Sequence, residues 1–185
     1  MKKEALLVID MVNDFVLPGA PLEVPETRRI IPVILQEIER AHAAGNPVIF
    51  VCDAHAADDK EFTKFGWPAH AVKGTEGAEV IAELTPGKGD IVIHKTTYSG
   101  FFGTDLDKTL KRLNVDSLRL TGDVTHICIL FTASDAVLLD YAVTVVEDGI
   151  AGISREDHEA ALRILKNVMN VAIVQSGAAS GRKAA

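Results

Sequence analysis

The chain has 185 residues, 48% of them hydrophobic, with 26 acidic against 19 basic side chains and a formal charge of −7. At this length folding buries roughly 70% of the surface the unfolded chain exposes, so one domain is stable without a disulfide or structural metal. The acidic surplus, spread with no basic cluster, excludes the electrostatic footprint of a nucleic-acid binder, and no apolar run approaches the ~18 residues of a spanning helix. Neither nucleic acid nor membrane is therefore expected as a partner. Two cysteines, Cys52 and Cys128, are too few for a secreted disulfide framework. The first apolar run ends at Asp10 without a small-residue cleavage site, so a cytoplasmic protein is expected.

Short β-rich runs alternate with stretches of helical period. The pattern predicts βαβ units in an α/β fold of three α/β/α layers around a six-stranded, mainly parallel sheet. The strands are expected at Ala5–Asp10, Pro47–Cys52, Asp90–His94, Ser117–Thr121, Ala142–Glu147 and Val171–Gln175, each nearly all apolar as in a sheet covered on both faces. A first helix is predicted from about Pro25 to Ala44, with Ile30, Ile31, Ile34, Ile38 and Ala41 on one face and Gly45 as a stop. Thr104 is expected to cap a helix carrying Leu106, Leu110 and Leu113, and Ser154 another with Glu156 and Asp157 in its first turn. Between Ala54 and Gly89 the chain reads as a long excursion with one short helix near Ala78 to Leu84, and long excursions tend to be functional. A single domain over residues 1–175 is expected, with a loose tail over 176–185.

In open parallel sheets ligands bind beyond the carboxyl ends of the strands. Four adjacent ends carry reactive side chains: Asp10, then Asp53 and His55, then Lys95, then a turn opening a helix that holds Cys128. A thiol in the first turn of a helix is expected to gain thiolate character from free N–H groups and the dipole, which suits a nucleophile; it also suits a buried structural cysteine, as does Cys52. An Asp or a Lys ending an apolar strand is costly to bury unpaired. Pairing with each other and with the thiol makes an acyl-transfer set, whereas either residue alone fits a structural ion pair. Asp53, His55 and His70 are suitable metal ligands that leave open positions, although scattered Asp and His residues are usually surface. His126 is the histidine closest to the thiol, and a surface role suits it. Trp67 and Phe15 offer flat walls for a planar substrate.

The quoted residues form motifs in a familiar order. Leu7-Val8-Ile9-Asp10-Met11-Val12-Asn13-Asp14-Phe15, Ile93-His94-Lys95-Thr96-Thr97-Tyr98-Ser99-Gly100-Phe101 and Thr121-Gly122-Asp123-Val124-Thr125-His126-Ile127-Cys128 resemble the three catalytic motifs of the isochorismatase-like cysteine hydrolases, nicotinamidase-related branch. The resemblance runs from about Glu4 to Gln175. It implies Asp10 as acid/base, Lys95 as its electrostatic partner and Cys128 as nucleophile. It also implies an oxyanion hole from the N–H groups of Cys128 and Val124, with a cis bond at Asp123-Val124. Asp53-Ala54-His55 and the stretch from Trp67 through Glu79 resemble the metal-binding stretches of nicotinamidases, implying a divalent ion, zinc by preference, on Asp53, His55 and His70 that holds a pyridine nitrogen. Phe15, Trp67 and Tyr98 are the implied substrate-binding residues, nicotinamide or a close planar amide the substrate, and a homo-oligomer the assembly. Four departures surround the pocket and the metal: Val12 replaces a polar residue, Ala71 a frequent Cys, His126 the usual Asp, and no fourth ligand stands at the family spacing, leaving Asp59 or Glu61 as substitutes. A metal-free hydrolase of a carbamoyl, ureido or enol-ether compound is the nearest rival, and a thiol redox sensor a more distant one.

Overall fold

The computed structural model describes residues 3–179. Six strands, β1 (Lys3–Ile9), β2 (Val48–Asp53), β3 (Ile91–Lys95), β4 (Val115–Asp123), β5 (Ala142–Ala151) and β6 (Ala172–Val174), form one sheet in the order β3-β2-β1-β4-β5-β6. Every pairing is parallel, so the expected mainly parallel sheet is wholly so. The order reverses once, between β1 and β4, and the crevice beyond the carboxyl ends of these two strands is where such sheets bind ligands.

Apolar side chains leave the sheet on both faces, as the uniform runs predict. On one face Leu7, Ile9, Val51 and Leu120 pack with Leu106 and Leu110 of α4 (Leu106–Arg112), Ala133 and Ala136 of α5 (Leu130–Leu138) and Leu165 of α6 (Arg155–Asn167). On the other, Leu6, Val8 and Phe50 pack with Ile30, Ile34 and Ala41 of α2 (Thr27–Ala43) and with Phe15 and Val16 of α1 (Asn13–Val16). Each fully buried Ile or Leu contributes roughly 1.5–3 kcal/mol. Among the described residues no helix is long and apolar enough to cross a membrane.

Several expectations are corrected. The helix predicted near 78–84 is two separate 3-10 turns, Glu76–Ala78 and Ala82–Leu84. Val80 bridges antiparallel to Val12, and Ile81 N–H donates to Met11 O at 3.0 Å, so pairing with the segment after β1 takes the β-branched residues a helix would have used. The excursion instead carries an unpredicted helix, α3 (Lys60–Phe65), capped by the Asp59 carboxylate on Glu61 N–H and ended by Gly66 at φ +75°. Thr104 stands one residue too early to cap α4, yet its hydroxyl accepts from Leu106 N–H at 3.1 Å. Ser154 caps α6 as expected. The expected loose tail is docked at its start: Ser176 hydrogen-bonds Asp148 through its backbone N–H and its hydroxyl, Gly177 N–H donates to Glu37 and Arg40 donates to Ala178 O. Positions 180–185 of that tail lie outside the described residues.

Strand β4 also hides a charge. Arg119 is buried against α2, where Nε and Nη2 donate to the two oxygens of Glu37 at 2.6 and 2.9 Å, the bidentate geometry a buried guanidinium needs.

Candidate active site

Strands β1 to β4 deliver their ends to one spot. Directly after β1 the chain turns at Asp10, whose φ of +53° is tolerated better by Asp than by most residues. Beside it, Gly122 of β4 lies so close to Ile9 that a Cβ would fall 2.0 Å from the Ile9 carbonyl oxygen, which only glycine permits. Asp10 Oδ1 accepts from Asp53 N–H at 2.8 Å, which fixes the carboxylate across the β1–β2 gap.

Lys95, the last residue of β3 and fully buried, is the hub. Its Nζ lies 2.7 Å from Asp10 Oδ2, 2.5 Å from Asp53 Oδ1 and 3.5 Å from Cys128 Sγ. Burial opposes its charge, but the two carboxylates prevail and hold its pKa well above the ordinary lysine value. Burial, reinforced by Asp53, raises Asp10 to about 6 despite Lys95. Burial, with Asp10 close by, also pushes the Cys128 thiol upward. That direction runs against the expectation that the helix start alone favours thiolate, since burial and the neighbouring carboxylate both favour the neutral thiol.

After the cis Asp123-Val124 bond the chain enters α5 through a π-type turn, Thr125–Ile129. The Val124 carbonyl accepts from Ile127 N–H at 3.0 Å and Ile129 N–H at 3.2 Å rather than from Cys128 N–H, the partner an α-turn would supply. The wide turn thus leaves the Cys128 N–H to another acceptor, and π-bulges recur at functional sites for this reason.

Asp53, His55 and His70 form a second, adjoining cluster whose ligand atoms all lie within 4.8 Å of one another. Asp53 Oδ2 faces Nε2 of His55 at 3.5 Å and of His70 at 3.8 Å. The outer nitrogens are both occupied, His55 Nδ1 by Asp59 Oδ2 at 3.1 Å and His70 Nδ1 by Pro68 O at 2.8 Å, which turns each Nε2 inward as metal-ligating histidines require. His55 Nε2 is buried with no hydrogen-bond partner. An orphaned imidazole nitrogen aimed at a carboxylate and a second imidazole fits a divalent ion with open coordination positions. Burial lowers the His70 pKa; for His55 the same push is outweighed by Asp53 and Asp59.

Above both clusters opens a cavity of about 370 Å³ walled by Phe15, Trp67, Tyr98, Val124, Ile127 and Ile153, with Cys128, Asp53 and His70 reaching it from below. The three expected substrate-binding residues thus share one wall system; Trp67 Nε1 donates to the Tyr98 hydroxyl at 3.3 Å and the Phe15 ring lies 5.5 Å from His70. Sequence reasoning missed the segment Ala20–Val24 and Ile153, which also line it. The turn residues Pro18, Gly19 and Pro21 beyond β1 were the available signal. Of the two substitute ligands, Asp59 holds the His55 ring instead, and Glu61 lines the cavity outside the ligand cluster. His126 is absent from the lining and faces Gly152 and His158. Cys52 is buried in β2, and both cysteines are free.

A parallel sheet covered on both faces, with a thiol, two carboxylates and an ammonium gathered beyond its strand ends beside the switch point, is the arrangement of an α/β cysteine hydrolase. More closely, the chain belongs to the isochorismatase family of hydrolases: the Isochorismatase domain matches residues 4–178. It is 36% identical over 176 residues to a probable inactive nicotinamidase of Arabidopsis thaliana, covering 90% of each chain. Among solved structures, N-carbamoylsarcosine amidase of Thermoplasma acidophilum superposes with a TM-score of 0.86 at 36% identity, over 97% of this chain and 99% of that one. Pyrazinamidase of Pyrococcus horikoshii in complex with zinc gives 0.87 at 35% identity, over 94% and 99%.

Proposed function

We propose that this chain is a cysteine amidohydrolase of small planar amides, with nicotinamide as substrate and Cys128 as nucleophile. The observation that carries the reading is the position of Lys95 Nζ within reach of Asp10, Asp53 and Cys128 at the floor of an apolar cavity. As Sγ adds to the amide carbon, Asp10 takes the thiol proton and the carbonyl oxygen gains charge. The N–H groups of Cys128 and Val124 receive that oxyanion, a stabilisation of about 3 kcal/mol per donor. Asp10 then returns the proton to the nitrogen as the C–N bond breaks, leaving a thioester and ammonia. Water, deprotonated by Asp10, attacks the thioester; the C–S bond breaks and the proton returns to sulfur. Lys95 keeps Asp10 aligned and offsets the negative charge that passes between carboxylate and sulfur.

Asp53, His55 and His70 would hold a divalent ion, zinc by analogy with the zinc-bound neighbour. Bound there, the ion supplies Lewis acidity that orients and polarises a ring nitrogen. Phe15, Trp67 and Tyr98 clamp the ring. Two reduced, buried cysteines suit a cytoplasmic setting. Likeness to N-carbamoylsarcosine amidase supports a second reading, a metal-independent hydrolase of carbamoyl compounds. Ammonia release from nicotinamide by zinc-loaded and chelator-treated protein separates the two, and it is also the decisive assay given a relative named as inactive. Zinc-dependent turnover is expected; zinc-loaded protein that leaves nicotinamide intact refutes the substrate assignment.

A further inference from the structure

One carboxyl beside the reacting atoms has no part in the mechanism above. Asp123 closes β4 directly before Val124, and its side chain, fully buried, turns toward α2. There Oδ2 accepts from the Thr27 hydroxyl at 2.8 Å, while Oδ1 is buried with no hydrogen-bond partner among the described residues. Thr27, the first residue of α2, is itself fully buried. A carboxyl in such a place is costly, and a Val would fill the strand end without that cost. Burial, with Asp10 close by, pushes the Asp123 pKa well above the ordinary carboxylate range, which favours the neutral, hydrogen-bonding acid.

The bond between Asp123 and Thr27 joins two parts of the site. On one side is the turn that receives the oxyanion. Val124, whose N–H is assigned to that role, is the next residue in the chain, and Gly122 before Asp123 is pressed against Ile9 with no room for a Cβ. On the other side is the cavity wall: Thr27 N–H donates to Val24 O at 2.9 Å, Val24 N–H donates to Phe15 O at 2.8 Å, and Val24, Phe15 and Val124 all line the cavity. Val124 is the N-cap of the π-type turn and gives it no side-chain hydrogen bond. The far side of that turn is tied to α6, where Thr125 Oγ1 lies 2.9 Å from His158 Nδ1. Asp123 supplies the corresponding tie on the near side, to α2.

We propose that Asp123 is a positioning residue for the amide hydrolysis, its hydrogen bond with Thr27 fixing the Val124 N–H where the oxyanion forms. The inference rests on the amidohydrolase reading and adds to it a residue that never touches the substrate. An oxyanion donor acts only at the place the charged oxygen will occupy, and a displacement of about 1 Å is enough to cost on the order of 100-fold in rate. Loss of the tie should therefore appear in kcat and leave substrate binding, which the rings and the metal cluster govern, in place.

The test compares kcat and KM for nicotinamide in zinc-loaded parent protein, Asp123→Val, Thr27→Val and the double variant. Asp123→Asn and Thr27→Ser serve as conservative changes that keep the bond, and zinc content and urea midpoint are measured on every variant. Asp123→Val and Thr27→Val are each expected to lose about 10-fold or more in kcat, with KM within about twofold of the parent and zinc retained. Asp123→Asn and Thr27→Ser should stay within about threefold of the parental kcat, and the double variant should lose little more than either single one, because both remove the same bond. Parental kcat in either valine substitution overturns the inference and leaves the amidohydrolase reading standing. So does an equal loss in Asp123→Asn and Thr27→Ser, a loss that appears in KM instead of kcat, or losses that multiply in the double variant. Should Asp123→Val fail to fold, Thr27→Val against Thr27→Ser decides alone. A parent chain that leaves nicotinamide intact overturns the underlying reading and the inference with it.

Discussion

Asp59 should govern metal affinity and local stability through separate oxygens of one carboxylate. Its Oδ2 lies 3.1 Å from His55 Nδ1, while Oδ1 accepts from Glu61 N–H at 2.9 Å and caps α3. That N–H bond, with the His55 contact, holds the Asp59 pKa below the usual carboxylate range, so at neutral pH it presents a full negative charge to the ring. Removing a carboxylate from the outer nitrogen of a ligating histidine weakens metal binding about 10- to 100-fold, and losing a helix cap costs about 1 kcal/mol. Asp59→Ala should therefore suffer both losses. Asp59→Asn keeps a competent cap through its one amide oxygen but turns an NH2 donor toward His55 Nδ1, so its affinity should fall by about 10-fold or more while stability holds. Zinc competition against a chromophoric chelator measures the first quantity. Urea denaturation of metal-free protein measures the second without the stabilisation that a bound ion adds by mass action. Asp59→Ala with parental zinc affinity would refute the assignment of His55 as a ligand, and equal destabilisation by Asn and Ala would refute the cap.

Cys128→Ala is expected to abolish ammonia release with the urea midpoint little changed; full residual turnover removes the thiol mechanism. Because burial and Asp53 raise Asp10 to about 6 and a general base must be ionised, kcat/KM should climb about tenfold per pH unit below that value and level off above it, and a flat profile from pH 5 to 7 contradicts the role. Arg119→Met leaves the buried Glu37 carboxylate with only Gly177 N–H and a 3.5 Å contact to Arg40, and should cost about 3 kcal/mol in urea unfolding, part of it recovered in the Arg119→Met, Glu37→Leu double variant; a single variant as stable as the parent refutes the pair. Asp53→Asn should lose zinc and also change the rate of Cys128 alkylation by iodoacetamide in metal-free protein, whereas His55→Ala should lose zinc alone.

The strands were legible because burial on both faces leaves a local signature: Ala5–Ile9 and Val48–Cys52 are apolar throughout whatever lies beside them. Residues at strand ends were legible for the converse reason, since a charge at the close of an apolar run has few places to go. What local pattern could not supply was pairing across the chain. The run containing Arg119 reads as an apolar strand because its partner, Glu37, lies 82 positions away on another element. The helix expected at 78–84 failed because Val80 and Ile81 find partners in Val12 and Met11, a competition set by tertiary contact. Helix α3 was overlooked although its cap Asp59 and its stop Gly66 both stand in the sequence, because only six residues separate them and a run that short carries almost no period.

The sequence also suggested two sites where the structure has one. Asp10, Lys95 and Cys128 form one set in the order of the motifs, and Asp53, His55 and His70 another, yet Asp53 belongs to both. Its Oδ1 meets Lys95 Nζ, its Oδ2 faces the two imidazoles, and its N–H holds Asp10. A carboxylate can serve two centres in this way because its oxygens accept independently on opposite sides. The consequence is electrostatic as well as geometric: charge placed at the imidazole side changes the field at Lys95 and, through it, at the thiol. Fixing the metal ligand and the ammonium partner in a single residue at the end of β2 also sets the distance between the place where a ring is held and the place where its amide is attacked. The parallel register of β1, β2 and β3 maintains that distance, since Asp53 pairs directly with Lys95 across the sheet.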